Sequence, residues 1–201
     1  MSEVSLRRRE SSEQRRSAIL HAARTVFARK GYESTVVEDI AGEAGIGKGT
    51  LYLYFPSKEQ IYLAALIADA RMLDQETRRA ILAASSWQEA LRAYVEVRLR
   101  YFDLHQDFVR MYMTEFRGLC LQGRAASAEL LLLAEASDGQ LAQRFAEAEE
   151  RRQMRPVDSQ QAALMVADIT RGLMERRLRG NAMGQADAEF AIETMCRAWS
   201  E

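Results

Sequence analysis

The sequence predicts an all-α protein. Only two prolines and eleven glycines occur among 201 residues, while the helix-forming residues Ala, Leu, Arg, Glu and Gln are abundant. Apolar residues recur at intervals of three and four, and several of these stretches open with Ser or Thr three positions before Glu or Gln, as in helix capping boxes. With 48% hydrophobic residues, the chain can bury a core in one or two domains.

The charge of the chain is nearly balanced, which argues against a general nucleic-acid binder. It carries 28 basic and 29 acidic residues, for a formal net charge of -1. All three lysines, Lys30, Lys48 and Lys58, lie within the first sixty residues. This uneven distribution favours a local binding site in that part of the chain.

The cysteines and histidines form no recognisable metal or redox motif. Cys120, Cys196, His21 and His105 have no spacing that matches a zinc cluster, a thiol pair or a disulfide framework. We therefore predict no metal, no cofactor and a location in the reducing cytoplasm. The sequence also shows neither a signal peptide nor an uncharged run of about eighteen residues that would span a membrane.

The first helix is predicted from about Ser12 to Lys30, with its apolar residues on one face and Gly31 as its stop. Residues 1 to 10 contain three consecutive arginines. We interpret them either as a disordered arm or as an arm that follows DNA phosphates or enters a minor groove.

Two short helices are predicted next. Thr35 and Glu38 have the spacing of a capping box that opens a helix from Val36 to Ala44. Gly45 and Gly47 are expected to bracket a tight turn, because glycine adopts positive φ without penalty.

The second short helix is predicted from Lys48 to Phe55, ending before Pro56. Leu51 and Phe55 are four residues apart and are expected to bury together. The cation, hydroxyl and phenols at the other positions are donors suited to phosphate oxygens and base edges. The pattern is that of a helix-turn-helix, and a small helical hairpin without a DNA role is the alternative.

The residues around this motif match a known pattern over about 45 positions without a gap. The match comprises Ala18–Ala23, Phe27, Lys30–Tyr32, Thr35–Ala41 and Gly45–Glu59. It resembles the DNA-binding domain of TetR/AcrR-type repressors, which usually have Ser where Gly47 stands and often His where Leu53 stands. The resemblance implies an N-terminal three-helix helix-turn-helix domain, joined by a long helix to a C-terminal helical domain for ligand binding and dimerisation.

The resemblance also implies which residues contact DNA. Base edges are expected at Gly47, Lys48, Gly49 and Thr50, and phosphates at Thr35, Tyr52, Tyr54 and Lys58. We place the domain boundary between an arm and helix-turn-helix domain, residues 1–56, and a linking helix with the effector-binding and dimerisation domain, residues 57–201.

A long helix is predicted to begin after Pro56, where Ser57 and Gln60 form a second capping box. Lys58 lies in its first turn. Free backbone amides and the helix dipole favour an anion there, so a phosphate is the expected partner of this lysine.

The second domain is predicted to open at a third capping box, Ser86 to Glu89, and to carry a stripe of aromatic residues and methionines. The stripe is either ordinary core or the wall of an effector pocket whose polar end a charged side chain would fix. The candidate pocket residues are Tyr94, Arg98, Tyr101, Phe102, His105, Phe108, Met111, Tyr112, Glu115 and Phe116.

The last third of the chain is predicted to hold a broken helix and two further helices. Ser137-Asp138-Gly139 is expected to interrupt the segment from Ala125 to Arg155. Helices at about 158–179, with a cap at Asp158, and at 187–200 each carry an apolar stripe. By the resemblance, they form a two-fold homodimer that presents two reading helices to two half-sites.

These features predict a ligand-responsive DNA-binding transcriptional regulator of the bacterial cytosol or nucleoid, and not an enzyme. The resemblance implies a repressor that a small hydrophobic or amphipathic effector releases from a palindromic operator, although activation stays open. One alternative is an architectural DNA-binding protein with a filled C-terminal core and no effector. The other is a small helical enzyme, which the lack of metal, nucleophile and phosphate-loop motifs disfavours.

Overall fold

The computed structural model describes residues 3–119, 125–178 and 185–201, and these residues form an all-α fold, as predicted. The helices in chain order are α1 (Glu3–Lys30), α2 (Val37–Glu43), α3 (Lys48–Tyr54), α4 (Lys58–Ala83), α5 (Trp87–Leu104), α6 (Gln106–Leu119), α7 (Ala125–Glu150), α8 (Ser159–Leu178) and α9 (Gln185–Trp199). Across these described ranges, none of the helices combines the length and the apolar character needed to cross a membrane.

The chain divides into two compact units. The first contains α1, α2, α3, the part of α4 up to Asp69, and α6 from Asp107. The second contains α4 from Ala70, together with α5, α7, α8 and α9. This is a division by compactness, and the functional boundary between residues 56 and 57 stays a prediction.

The first helix begins at Glu3, well before the predicted start near Ser12. The expectation of a disordered arm is therefore wrong for the backbone from residue 3. No glycine or proline precedes Gly31, so nothing in the sequence stops the helix earlier. Gly31 ends it as predicted, with φ of +76°. The side chains of Arg7, Arg8 and Arg9 lie outside the described residues.

The core of the first unit joins α1 to the beginning of α4. Phe27 on α1 is buried and meets the ring of Tyr62 on α4 edge to face, with centroids 4.9 Å apart. The ring of Tyr32 lies 5.0 Å from that of Tyr62. Arg24 on α1 also forms a salt bridge with the buried carboxylate of Asp69 on α4. These contacts brace the two short helices that lie between α1 and α4 in the chain.

The predicted caps of three later helices are confirmed. Each cap side chain accepts a hydrogen bond from the backbone N–H three residues on, as capping requires. These bonds are Gln60 to Ser57 at 3.2 Å, Glu89 to Ser86 at 3.1 Å and Gln161 to Asp158 at 3.0 Å.

The predicted interruption at Ser137-Asp138-Gly139 is wrong, because α7 continues through it. Ser137 and Asp138 are buried, and their side chains bond to other helices. The Ser137 hydroxyl donates to Asp74 on α4, and the Tyr94 hydroxyl on α5 donates to Asp138 at 2.5 Å. Residues that often form turns are tolerated inside this helix because their polar groups have partners in the core.

Burial raises the pKa of the Asp138 carboxyl above its ordinary value, and the bond from Tyr94 and the charge of Arg98 offset part of that rise. A carboxyl whose pKa rises on folding stabilises the fold below its ordinary pKa. That contribution is lost as the pH rises through the folded-state pKa. The Tyr94 bond therefore matters most at neutral pH, where Asp138 carries more charge.

We expect Tyr94→Phe to lower the free energy of unfolding by about 1–3 kcal/mol at neutral pH, because it removes a hydrogen bond to a buried carboxylate. The loss should be smaller near pH 4, where more of Asp138 is protonated. Urea denaturation of the variant and the wild type at pH 7 and pH 4 measures the two losses in the free energy of unfolding. Tyr52→Phe, which removes an exposed hydroxyl, is the matched control and should change the stability little. A larger loss near pH 4 than at neutral pH would contradict the assignment of this bond to the charged form of Asp138.

Candidate nucleic-acid interface

The helices α2 and α3 are joined by a turn at Gly45. Gly45 has φ of +65°, in the left-handed region that favours glycine. Gly47 ends the turn as predicted, but its φ of -72° and ψ of 147° are an extended conformation that any residue adopts, so the expected positive φ is wrong there. Gly47 is instead the N-cap residue of α3, and it has no side chain with which to cap the helix.

Thr35 does not cap α2, contrary to the expected capping box. Its side chain is 1% exposed, and its hydroxyl donates to the Gly31 carbonyl at 2.7 Å. The N-cap residue is Val36, whose backbone N–H donates to the Asp39 carboxylate at 3.2 Å. The hydroxyl predicted to hold a phosphate is thus used within the unit, which disfavours a DNA contact at Thr35.

The short helix α3 has a buried face and an exposed polar edge, as its spacing predicts. Leu51 and Phe55 are buried. Among the predicted DNA contacts, Lys48, Gly49 and Tyr52 are exposed, and Thr50 and Tyr54 are half-buried. The apolar side chain of Leu53 is also exposed. These residues therefore share one accessible helix, whereas Thr35 does not belong to its surface.

Glu38 is a residue of this surface that sequence reasoning missed. It lies in the first turn of α2, and the Lys48 ammonium donates a hydrogen bond to its carboxylate. This bond lowers the pKa of Glu38 and raises the pKa of Lys48, so both stay charged at neutral pH. The sequence offered only the spacing from Thr35, which led us to interpret Glu38 as part of a cap.

The ammonium of Lys58 is occupied by the backbone that follows α1. It donates to the carbonyl oxygens of Tyr32 at 2.9 Å and Thr35 at 3.0 Å, and a longer contact reaches Glu33 at 3.4 Å. It also lies 4.4 Å from the centroid of the Tyr32 ring. An ammonium has three N–H donors, so this geometry favours a structural role over the predicted phosphate contact.

Five of the candidate effector-pocket residues belong to the second unit. Tyr94, Tyr101 and Phe102 are buried there. The Arg98 guanidinium lies over the Tyr94 ring, 3.9 Å from its centroid, and 3.8 Å from Asp138. The ring of His105 lies 4.1 Å from that of Tyr101. Arg98 Nη1 is buried and has no hydrogen-bond partner among the described residues.

The other five candidates belong to the first unit. Phe108 and Met111 are buried, and the ring of half-buried Tyr112 lies 5.3 Å from that of Phe108. The side chains of Glu115 and Phe116 lie outside the described residues. Within the ranges that the structure describes, no group of three or more His, Cys, Asp and Glu residues is placed to hold a metal ion.

Comparison with known proteins identifies the helix-turn-helix region. Residues 19–65 match the family model described as bacterial regulatory proteins, tetR family. The chain carries a TetR-family domain. The resemblance predicted from the sequence is thereby confirmed, and α2 and α3 are the helix-turn-helix of that domain.

Curated relatives are similar over part of their length. The transcriptional activator FasR of Mycolicibacterium smegmatis is 36% identical over 91 residues, which are 45% of this chain and 40% of FasR. The transcriptional repressor KstR of the same organism is 35% identical over 86 residues, 43% of this chain and 42% of KstR. The chain also matches three HTH-type transcriptional regulators from Bacillus subtilis, YerO, YuxN and YfiR. It covers 36%, 33% and 26% of their lengths, and so spans less than half of each.

A solved structure is similar over almost the whole chain. The TetR family transcriptional regulator PfmR from Thermus thermophilus is 26% identical in sequence, and its structure matches this one with a TM-score of 0.74. The match covers 89% of this chain and 97% of PfmR. PfmR is a transcriptional regulator, FasR a transcriptional activator and KstR a transcriptional repressor. The chain is thus similar, in its helix-turn-helix region and in its fold, to proteins of transcription regulation.

We expect Lys58→Ala to lower the free energy of unfolding by about 1–2 kcal/mol, because it leaves part-buried carbonyls without their donor. Lys48→Ala, which removes an exposed ammonium, is the control and should leave the melting temperature nearly unchanged. Thermal denaturation of the two variants and the wild type measures these changes in stability. The salt dependence of DNA binding should be the same for Lys58→Ala and the wild type. A slope reduced by about one unit would restore the phosphate role.

Proposed function

We propose that this chain is a homodimeric, ligand-responsive transcriptional repressor that binds an inverted-repeat operator. The observation that carries this proposal is the exposed polar edge of α3 in a TetR-family domain, opposite the buried side chains of Leu51 and Phe55. A helix of this kind suits the major groove, where side-chain donors meet base edges.

The proposed contacts divide into those that read bases and those that hold the backbone. Lys48 and Thr50 donate to base edges, while Gly47 and Gly49 allow close approach. A Cβ atom at either glycine would meet no atom within 4 Å, so the surface around both is open. The phenols of Tyr52 and Tyr54 donate to phosphates, which fixes the position of the helix on the duplex.

The homodimer is proposed to form through α8 and α9. Both helices expose large apolar side chains, including Met165 on α8 and Phe190 on α9, and Phe190 is 73% exposed. Apolar groups of this size are stabilised when a second copy covers them. A two-fold pair also provides the two reading helices that an inverted repeat requires.

The effector is proposed to be a small hydrophobic or amphipathic molecule bound in the C-terminal domain. The aromatic stripe of α5 supplies apolar surface, and the buried Nη1 of Arg98 is a donor suited to a polar group at one end of the molecule. Binding weakens DNA affinity only as far as the effector prefers the conformation that no longer fits the half-sites. KstR, a repressor, supports repression, although FasR is an activator.

A second candidate function is DNA binding without an effector. The burial of Tyr94, Tyr101 and Phe102 favours it, because an ordinary core buries aromatic residues in the same way. The two functions differ in the response to a small amphipathic molecule, because only the ligand-responsive regulator loses operator affinity when such a molecule binds.

We expect Thr50→Ala to relax the preference at one base position of each half-site by about 2- to 10-fold, the value of one hydrogen bond. Tyr52→Phe should weaken binding by a similar factor for every duplex, because it removes a phosphate contact. Fluorescence anisotropy on duplexes with single base-pair changes, derived from a site selected out of random DNA, separates the two patterns.

Thr25→Ala is the matched control for Thr50→Ala, since the Thr25 hydroxyl bonds to the His21 carbonyl within α1. It should leave DNA binding unchanged. An even loss across all duplexes for Thr50→Ala would remove Thr50 from the base-reading set. Failure of the wild type to bind any duplex at low salt would overturn the proposed function.

We expect Phe190→Asp to convert the dimer to a monomer and to weaken operator binding, because the substitution buries an unpaired charge in the interface. Leu104→Asp is the matched control, since Leu104 is equally apolar and exposed but lies at the end of α5. Sedimentation velocity measures the mass of each. If Phe190→Asp stays dimeric, α9 does not form the interface. A wild-type monomer would make the homodimer proposal wrong.

A further inference from the structure

The ion pair between Lys48 on α3 and Glu38 on α2 lies within the proposed DNA-binding surface. Their side chains are 52% and 57% exposed, so the pair faces solvent. The Lys48 ammonium also lies 5.8 Å from the centroid of the Tyr52 ring, on the same surface. A carboxylate beside phosphates is repelled by them, so Glu38 weakens general attraction to DNA. If Lys48 served only as a phosphate anchor, its acidic partner would oppose that role.

The carboxylates of Glu38 and its neighbour Asp39 have different functions. Asp39 accepts the backbone N–H of Val36 at 3.2 Å and pairs with Lys30 on α1 at 2.7 Å, so it supports the start of α2. Glu38 instead reaches across to α3, where Lys48 is its side-chain partner. Since the local structure depends on Asp39, Glu38 is available for recognition.

The pair presents a hydrogen-bond donor and an acceptor side by side. An ammonium has three N–H donors and a carboxylate has several acceptor positions, so each group keeps bonding capacity after they bond to one another. A G·C base pair shows the complementary pattern in the major groove. Guanine N7 and O6 accept, and the adjacent cytosine N4 donates. An A·T pair also shows an acceptor beside a donor, adenine N7 next to its amino group, but its other acceptor, thymine O4, lies next to a methyl group. Only guanine offers lysine two adjacent acceptors.

We propose that Glu38 and Lys48 act as one unit that reads a single G·C base pair in each half-site. Lys48 donates to guanine, and Glu38 accepts from the cytosine of the same pair. This inference rests on the proposed function, because it requires α3 to lie in the major groove. Glu38 is then a specificity-determining residue. Its carboxylate lowers the affinity for DNA of any sequence, and only a hydrogen bond from a cytosine amino group offsets that loss.

The test is selection of binding sites from duplex DNA with a randomised central segment, using the full-length protein. Five proteins are compared: wild type, Glu38→Gln, Glu38→Ala, Lys48→Ala and Glu43→Gln. Glu43→Gln is the matched control, because it removes the same charge from an exposed position of the same helix, where Glu43 pairs with Arg29 at 3.6 Å. Circular dichroism and melting temperature establish that each variant is folded.

The wild type is expected to select an inverted repeat. At one position of each half-site, its preference for a G·C pair should depend on both Glu38 and Lys48. Glu38→Ala and Lys48→Ala should lose the preference at that same position, by about 5- to 150-fold, and leave the other positions unchanged. Glu38→Gln should shift the preference away from cytosine, since an amide also donates. Binding of both Glu38 variants to random DNA should become tighter, while Glu43→Gln keeps the wild-type site.

Three outcomes would overturn the inference while the proposed function stands. The first is that the Glu38 variants retain every wild-type preference. The second is that the two alanine variants lose preferences at different positions. The third is that the shared position is an A·T pair. Selection of no sequence by the wild type would instead overturn sequence-specific DNA binding itself, and with it this inference.

Discussion

The surface of α3 depends on the burial of two side chains, Leu51 and Phe55, one helical turn apart. A helix of seven residues is not stable alone in water, so packing must supply its stability. Burial of this pair decides which way the remaining side chains face, and it leaves Lys48, Gly49 and Tyr52 accessible. The left-handed conformation of Gly45 then sets the angle at which α3 leaves α2. The polar edge is thus a consequence of the apolar face.

The support around this helix uses charged groups in two different ways. The Lys58 ammonium binds carbonyl oxygens of the segment after α1, and so fixes the start of α4 to that segment. Lys48, by contrast, is exposed and held by a single exposed carboxylate. A lysine that bonds to part-buried carbonyls contributes to the fold, whereas one paired at the surface contributes little to stability and remains available to a ligand. Two lysines of the same unit therefore have different roles.

The second unit contains a buried polar cluster at the point where the sequence predicted an interruption of α7. Ser137 and Asp138 point inward, where Asp74 and Tyr94 bond to them, and Arg98 lies over the Tyr94 ring. Ser137 and Asp138 are tolerated there because Asp74 and Tyr94 satisfy their side chains, and these bonds restrict the core to one arrangement of α4, α5 and α7. The half-buried Arg98 side chain also brings a cation next to the aromatic residues of α5.

The sequence by itself determined the all-α class, the helix-turn-helix and the caps at Ser57, Ser86 and Asp158. These depend on residues within four positions of one another, where spacing and side-chain type decide the structure. Tertiary structure alone decided the inward orientation of Ser137 and Asp138, the burial of Thr35, the carbonyl contacts of Lys58 and the pairing of Glu38 with Lys48. Lys58 and its Tyr32 acceptor are 26 residues apart, and Tyr94 and Asp138 are 44 apart. Packing of distant segments creates such partners, and no local pattern encodes them.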